Sequence, residues 1–192
     1  MDLLTETAGI RRAREGDLER LRAIEWAAGQ MFAAVGLPEI AADEPPTVAE
    51  LRAHLDGIWV YGDPAVAYIA TEPVDGLLHI EQVSVHPDHA GRRIGRALIE
   101  HVARLAGTAV TLTTYADVPW NGPYYSRLGF RPLADGELTA GLRRIREREA
   151  ASGLDIRPRL AMRREPSPPE DGGVIPTPNR PVCGIGRAPE PA

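Results

Sequence analysis

Residues Leu77–Leu98 read LLHIEQVSVHPDHAGRRIGRAL, and this stretch decides the fold. Its first half is a strand whose apolar phase changes midway. Leu78 and Ile80 fall on even positions, Val83 and Val85 on odd ones. Side chains on a strand alternate faces, so a phase change reads as a β-bulge near Glu81-Gln82. A strand covered on both faces would also relax the alternation. Pro87 ends the strand. From Gly91 to Ala106 the spacing of Ile94, Leu98, Val102 and Leu105 predicts a helix with one apolar stripe. The segment is therefore strand, glycine-containing junction, long helix.

Working outward, strand-like and helix-like segments alternate. Gly9–Arg14 is a short strand candidate. Asp17–Val35 has helical apolar spacing and stops at Gly36, with Pro38 beyond it. Thr47-Val48-Ala49-Glu50 is a capping box opening a short helix through Leu55. Ile58–Tyr61 and Ala65–Thr71 read as strands around a Gly62-Asp63-Pro64 turn, and Asp75-Gly76 turns the chain into Leu77–Val85. After the long helix come a strand at Ala109–Tyr115, a short helix around Asn121–Leu128 stopped by Gly129, a strand at Phe130–Leu133, a helix at Leu138–Ala151 and a strand at Arg157–Arg163. This order predicts an α/β domain: a mixed, mostly antiparallel central sheet of about six or seven strands, with helices on both faces.

The chain has 192 residues, a net charge of −5, and 43% hydrophobic against 26% charged residues, the balance of a globular domain with a core of its own. Acidic charge and only 5% aromatics argue against a nucleic-acid surface. No apolar run is long enough for a bilayer span, and Met1–Thr7 does not resemble a secretory leader. A single cysteine, Cys183, rules out an internal disulfide framework and a multi-thiolate metal site. These features point to a cytoplasmic protein without nucleic-acid or membrane partners; a homodimer stays open. All 22 basic residues are arginine, so no lysine is available as nucleophile or Schiff base. The expected organisation is one domain over residues 1–165 and a tail over 166–192. Eight of the 18 prolines fall in that tail, which lacks Leu, Met and aromatics, a composition expected to be disordered.

At the junction after the decisive strand, glycines allow backbone amides to approach a ligand closely. The helix that follows directs unpaired N–H groups and its positive dipole end at the same place, where phosphate binds readily. Arg92, Arg93 and Arg96 add charge-assisted donors. Neither G-x-G-x-x-G nor G-x-x-x-x-G-K-[ST] is present. The run VSVHPDHAGRRIGRALIEH at Val83–His101, followed by YYSRLGF at Tyr124–Phe130, resembles the GNAT superfamily of N-acetyltransferases, and the element order from Ile10 to Met162 matches it as well.

That resemblance implies acetyl-CoA as co-substrate and transfer of its acetyl group to a primary amine by direct attack in a ternary complex. The family's loop, [Gln/Arg]-x-x-Gly-x-[Gly/Ala], falls on Ala90, Gly91, Arg92, Arg93, Ile94 and Gly95. Ala90 replaces the Gln or Arg, and Arg93 replaces the first glycine of the pair. Backbone amides from Gly91 to Arg96 remain to hold the pyrophosphate, with Arg93 expected to fit without positive φ. The resemblance further implies that Val83–Val85 pair with the pantetheine arm as an added strand, with Ser84 near the acyl end. It places Tyr125 beside the CoA sulfur.

The chemistry explains the residue types. A phenol of pKa about 10 can protonate a departing thiolate whose conjugate acid lies near 8.5. The bland alternative is that Tyr125 packs on Phe130; Tyr124 is the neighbouring candidate. An alkyl ammonium must lose a proton before it attacks, which calls for a carboxylate. Glu81, at the predicted bulge, is the first candidate base, with pairing to an arginine as its structural alternative; Glu25, on the first helix, is the second. Asn121 reads as a helix cap or a pantetheine contact, with capping the stronger reading. Asp117 and Trp120 read as acceptor-pocket residues or as a packed Pro-Trp turn. His86 and His89 flank Pro87 without a ligand set, so no metal is expected. Glu39, Asp43, Glu44 and Glu50 make Phe32–Leu51 acidic, which favours a cationic acceptor. The competing class is a catalytically silent module of the same fold that senses CoA or binds protein.

Overall fold

The computed structural model describes residues 9–166. The proline-rich tail from Ser167 onward, with Cys183, lies outside the described residues. The elements are β1 (Ile10–Arg12), α1 (Leu18–Gly29), α2 (Pro38–Ala41), α3 (Val48–Ala53), β2 (Ile58–Tyr61), β3 (Ala67–Val74), β4 (Leu77–Val85), α4 (Ile94–Ala106), β5 (Val110–Tyr115), α5 (Gly122–Arg127), β6 (Arg131–Pro132), α6 (Ala140–Ala151) and β7 (Arg159–Arg164). They form one seven-stranded sheet in the order β1-β2-β3-β4-β5-β7-β6. All neighbours are antiparallel except β4 and β5, which are parallel.

Local signals account for most boundaries. The capping box opens α3 as expected: the Glu50 amide donates to the Thr47 hydroxyl at 3.2 Å and the Thr47 amide donates to the Glu50 carboxylate at 2.7 Å. The expected helix over 17–35 divides. α1 ends at Gly29, a 3-10 segment continues from Gln30 to Val35, and Gly36 terminates it at φ 77°. α4 begins three residues later than the periodicity suggests, at Ile94, because Gly91 and Arg93 both take left-handed backbone angles. β7 leaves the sequence order to enter the sheet between β5 and β6, which buries Ala161 and Met162.

The strands bury both faces. On one, Ile94, Leu98, Ile99 and Val102 of α4 pack over Ala67, Ile69, Ile80, Val110 and Leu112, joined by Phe130. On the other, Leu18, Leu21 and Ile24 of α1 and Leu51 of α3 pack over Ile58, Val60, Tyr68 and Ala70. Each fully buried aliphatic side chain contributes about 1.5–3 kcal/mol. A third cluster of Leu37, Tyr115 and Val118, with Phe32 and Trp120, anchors the segment after α1 to the end of β5.

The bulge is where the apolar phase change places it. Ala70 pairs with Gln82 but Thr71 pairs with Ile80, so Glu81 is the extra residue on β4. Two further facts locate the site. First, β4 pairs with β5 only through Leu78–Val110, His79–Thr111 and Ile80–Leu112. Beyond Ile80 the two strands separate. Second, the His86 amide donates to Val66 on the β3 side at 2.9 Å. Backbone groups alternate along a strand, so Val85 and Val83 turn theirs the other way, into the opening between β4 and β5.

Gly57 clamps β3 beside the bulge. The Thr71 hydroxyl donates to the Gly57 carbonyl at 2.9 Å, and a Cβ at Gly57 would lie 2.1 Å from the Thr71 carbonyl oxygen. Gly57→Ala should therefore destabilise the domain by about 1–3 kcal/mol, the cost of overpacking a rigid site. Chemical denaturation checks this; an unchanged midpoint would show that β3 yields at no cost.

Candidate active site

The opening between β4 and β5 widens into a cavity of about 630 Å³. One wall is β4 from Ile80 to Val85, another is β5 from Leu112 to Tyr115. The start of α4 closes one end, and α1 with the segment after it closes the other. The walls mix apolar surface with a few polar groups, the composition of a small-molecule site.

The α4 end is built for an anion. The Ala97 amide is the first to find a helical partner, donating to the Arg93 carbonyl at 3.0 Å. The amides of Ile94, Gly95 and Arg96 precede the first helical turn and have no intrahelical acceptor. Gly91 has φ 75° and Arg93 φ 61°. The expectation that Arg93 fits without positive φ is therefore corrected: it adopts the left-handed angle of the glycine it replaces, at a cost of about 1–2 kcal/mol. Gly95 brings the helix close to Val83 and Val85, with Val85 Cγ2 3.6 Å from where its Cβ would stand. Gly91, Arg93, Ile94 and Gly95 line the cavity. Arg92 and Arg96 do not; Arg92 turns back toward the Asp88 carbonyl, and Arg96 lies 3.9 Å from Glu100.

Tyr124 and Tyr125 of α5 enter from the same side. Tyr125 is half-buried and meets Tyr124 and Phe130 edge-on, at 5.4 and 5.7 Å between ring centroids. The ring packs on Phe130, as the packing reading expects, and it also lines the cavity. Burial, with Tyr124 adding to it, pushes the phenol pKa up, so it holds its proton throughout the neutral range. Asn121 stands at the N-cap of α5, yet its side chain makes no capping bond; only its carbonyl accepts, from the Tyr125 amide at 2.9 Å. Capping was the stronger expectation and is corrected. The side chain is left to the cavity, which it lines.

Val83, Ser84 and Val85 all line the opening, as does Glu81. Ser84 is buried on the α1 face of β4, where its hydroxyl accepts from the Gln82 amide nitrogen at 2.9 Å. No arginine pairs with Glu81 among the described ion pairs. Although the residue is exposed overall, its carboxyl pKa is raised, by partial desolvation first and then by the nearby Glu72 carboxyl, against weaker attraction from His54 and Arg148. Glu25 also lines the cavity and accepts a hydrogen bond from the hydroxyl of the fully buried Tyr68. Burial raises its pKa, the Tyr68 bond opposes that, and Asp43 adds to it.

Of the remaining candidates, Trp120 lines the cavity and packs edge-on against Phe32 at 5.7 Å. Asp117 does not line it; half-exposed, it lies 3.6 Å from the Arg157 guanidinium. Asp43 and Glu44 carry the acidic character of the 32–51 segment into the wall, whereas Glu50 is spent in its cap and Glu39 points elsewhere. Among the described residues no metal-ligand cluster occurs. Sequence reading missed Glu149 and Arg159. They meet at 2.7 Å on the wall beside β5, with Thr113 and Arg146 completing the network and the Arg159 guanidinium 4.7 Å over the Tyr115 ring. Burial pushes the Glu149 carboxyl up, but the Thr113 hydroxyl and the two guanidiniums outweigh it and hold it below its usual range. Only the pairing of β5 with β7 assembles this group, and no local signal announces it.

Residues 54–132 match the model of the acetyltransferase (GNAT) domain family. The matched segment runs from the end of α3 through β6 and contains the bulged strand, the α4 junction and the tyrosine pair. The fold recurs in Rv2747 from Mycobacterium tuberculosis, solved in complex with CoA, at 20% identity and TM-score 0.58, covering 81% of this chain and 98% of that one. It recurs in the ribosomal-protein-S18-alanine N-acetyltransferase from Escherichia coli, at 17% identity and TM-score 0.57, covering 86% and 97%. N-acetylglutamate synthase from Neisseria gonorrhoeae, solved with coenzyme A and N-acetyl-glutamate, is similar over 83% of this chain but only 35% of its own, at 16% identity and TM-score 0.60. The resemblance read from the sequence is borne out over residues 54–132, which are similar to the acetyltransferase (GNAT) domain family, and the fold as a whole is shared with these solved structures.

Glu25 gives a stability test. A carboxyl whose folded pKa is raised above its unfolded value stabilises below the unfolded value and loses that contribution as pH rises through the folded one. Glu25→Gln keeps an acceptor for Tyr68 and removes the charge. Its Tm gain over the parent should therefore be larger at pH 8 than at pH 4. Equal gains at both pH values would mean that Glu25 carries no raised pKa.

Proposed function

We propose that this protein is an acetyl-CoA-dependent N-acetyltransferase that moves the acetyl group to a primary amine in a ternary complex. The observation that carries the reading is the opening beyond Ile80, where unpaired backbone groups of Val83 and Val85 face a cavity that ends at the N-terminus of α4. An extended pantetheine arm can add to that free edge as a strand, through main-chain hydrogen bonds. Its pyrophosphate then meets the amides of Gly91–Arg96 and the positive end of the helix dipole. Asn121, with no cap to make, faces the arm. Two proteins of similar fold were solved with CoA, which supports CoA as the ligand of this fold.

Chemistry follows from the two sides of the cavity. Glu81 takes a proton from the incoming ammonium, directly or through water, and its raised pKa brings it nearer to the amine's. The free amine attacks the thioester carbonyl carbon, the C–S bond breaks, and the thiolate leaves. Tyr125 gives that thiolate its proton. Burial raises the phenol pKa, and the same dry surroundings move the pKa of the departing thiol in the same direction. The acidic side chains of Asp43, Glu44 and Glu25 on the opposite wall favour a cationic acceptor, with Trp120 beside them.

Tyr125→Phe should lower kcat about 10–100-fold while leaving KM for acetyl-CoA within a few-fold, because it removes an interaction made as the thiolate departs. An unchanged kcat would remove Tyr125 from the mechanism. Glu81→Gln should reduce activity and abolish the acidic limb of the pH–rate profile, a limb expected above the ordinary glutamate value of about 4.3. Thiol release with a panel of amines distinguishes the enzyme from a silent CoA-binding module. The module would bind CoA and release no thiol above the hydrolysis background with any amine.

A further inference from the structure

The cavity carries apolar surface that the core does not account for. Among the described residues, the large hydrophobic side chains left exposed are Trp26, Met31, Leu105 and Ile156. Trp26 and Met31, 46% and 39% exposed, both line the active-site cavity; the other two do not. Neither belongs to the three apolar clusters that hold the domain together. Phe32 and Trp120 on the same wall are engaged with each other at 5.7 Å, whereas Trp26 meets no other ring among the described residues. A lone exposed apolar side chain needs no explanation, but two on one cavity make a patch that a ligand can cover.

Beside them α1 is thinned by a glycine. Gly29 lines the cavity and lies one turn beyond Glu25 and Trp26 on the helix surface. Its backbone does not call for glycine, since φ −60° and ψ −33° are ordinary helical angles. No close neighbour calls for it either: a Cβ at Gly29 would have nothing within 4 Å. Gly122, by contrast, is fixed by packing, because a Cβ there would lie 2.6 Å from the Ala116 carbonyl oxygen. Glycine at helical angles costs stability relative to alanine. What Gly29 provides in return is open space in the cavity wall, next to an exposed indole.

The acidic groups at this end differ in kind. Asp43 and Glu44 are exposed, so water screens them, and their charges draw a cation toward the mouth without gripping it. Glu25 is the fixed one, because the hydroxyl of the fully buried Tyr68 donates to its carboxylate. The wall therefore combines one held carboxylate with an apolar recess. We propose that the recess at Gly29, flanked by Trp26 and Met31, receives the apolar body of the acceptor, and that the acceptor is an arylalkylamine: one primary amine on a short arm from an aromatic ring. The proposal rests on the reading of this cavity as an acetyltransferase site and names the acceptor class within it. The ring covers Trp26 and Met31, and the amine points toward the β4 wall, where Glu81 stands. A diamine of similar length would instead bring a second hydrated ammonium to the apolar rim and leave that rim wet. Trp26 and Gly29 set specificity and take no part in the bond-making steps.

The test is calorimetric titration of the full chain, saturated with CoA, with phenethylamine, ethylamine and putrescine. Phenethylamine should bind about 10–100-fold more tightly than either of the others, the range expected for covering a ring's worth of apolar area. Trp26→Ala should weaken phenethylamine binding about 10-fold and ethylamine binding far less, and Trp26→Phe should restore most of the loss. Gly29→Leu fills the recess. It should weaken phenethylamine binding at least as much while Tm stays level or rises, which separates loss of space from loss of fold. The ratio of kcat/KM values for phenethylamine and ethylamine, read by thiol release, should change in the same order.

Tighter binding of putrescine than of phenethylamine would overturn the proposal. So would a Trp26→Ala variant that weakens all three amines alike, or a Gly29→Leu variant that binds phenethylamine as the parent does. Binding in the expected order with no thiol released by any amine would confirm the recess and overturn the transferase reading instead.

Discussion

Everything that distinguishes this domain's function from its fold depends on the parting of β4 from β5 after Ile80. A parallel ladder continued to the end of both strands would bury the backbone of Val83 and Val85 in the sheet. It stops after three residue pairs, and an edge opens in the middle of the sheet rather than at its margin. An unpaired interior edge is a liability unless something fills it, because buried backbone donors and acceptors without partners are costly. The structure holds the strands apart with packed side chains. Ile80, Leu112 and the α4 residues close the floor, and Phe32, Tyr115 and Trp120 brace the far end. The bulge at Glu81 belongs to the same device. It bends β4 away from its parallel neighbour, as bulges do, and rotates one carboxyl out of the ladder.

The polar groups around the opening show costs retained in place. Glu25 and Glu81 both carry raised carboxyl pKa values, and Arg93 keeps a left-handed backbone without being glycine. Clustering of perturbed carboxyls and a strained residue around one cavity is the pattern of a working site. By contrast, Glu149 with Arg146 and Arg159 is a mutually satisfied network whose pKa moves the opposite way, and it serves the wall as a rigid brace.

How much of this the sequence shows follows from the range of each interaction. The change of apolar phase between Ile80 and Val83 marks the bulge because alternation is a local property. The capping box at Thr47 and the stop at Gly36 are local for the same reason. The GNAT-like motifs point to Tyr125 and the α4 loop, and the structure brings both to the wall of one cavity. What escaped were matters of distance along the chain or of backbone angle. The place of β7 between β5 and β6, and with it the Glu149–Arg159 group, needs strands far apart in sequence to meet. The angle at Arg93 defied residue preference, since the loop's geometry outweighs a cost of about 1–2 kcal/mol. Asn121 has the residue type of a cap, and its backbone angles of −111° and −115° take its side chain out of capping position.

The most direct test of the account is amide hydrogen exchange along β4 by NMR, with and without acetyl-CoA. Ser84 directs its amide toward β3 and should be protected in both states. Val83 and Val85 direct theirs into the opening; they should exchange quickly in the free protein and slow by at least tenfold when acetyl-CoA is bound, together with amides in Gly91–Arg96. Val83 and Val85 amides as protected as that of Ser84 in the free protein, or unchanged at saturating acetyl-CoA, would contradict it.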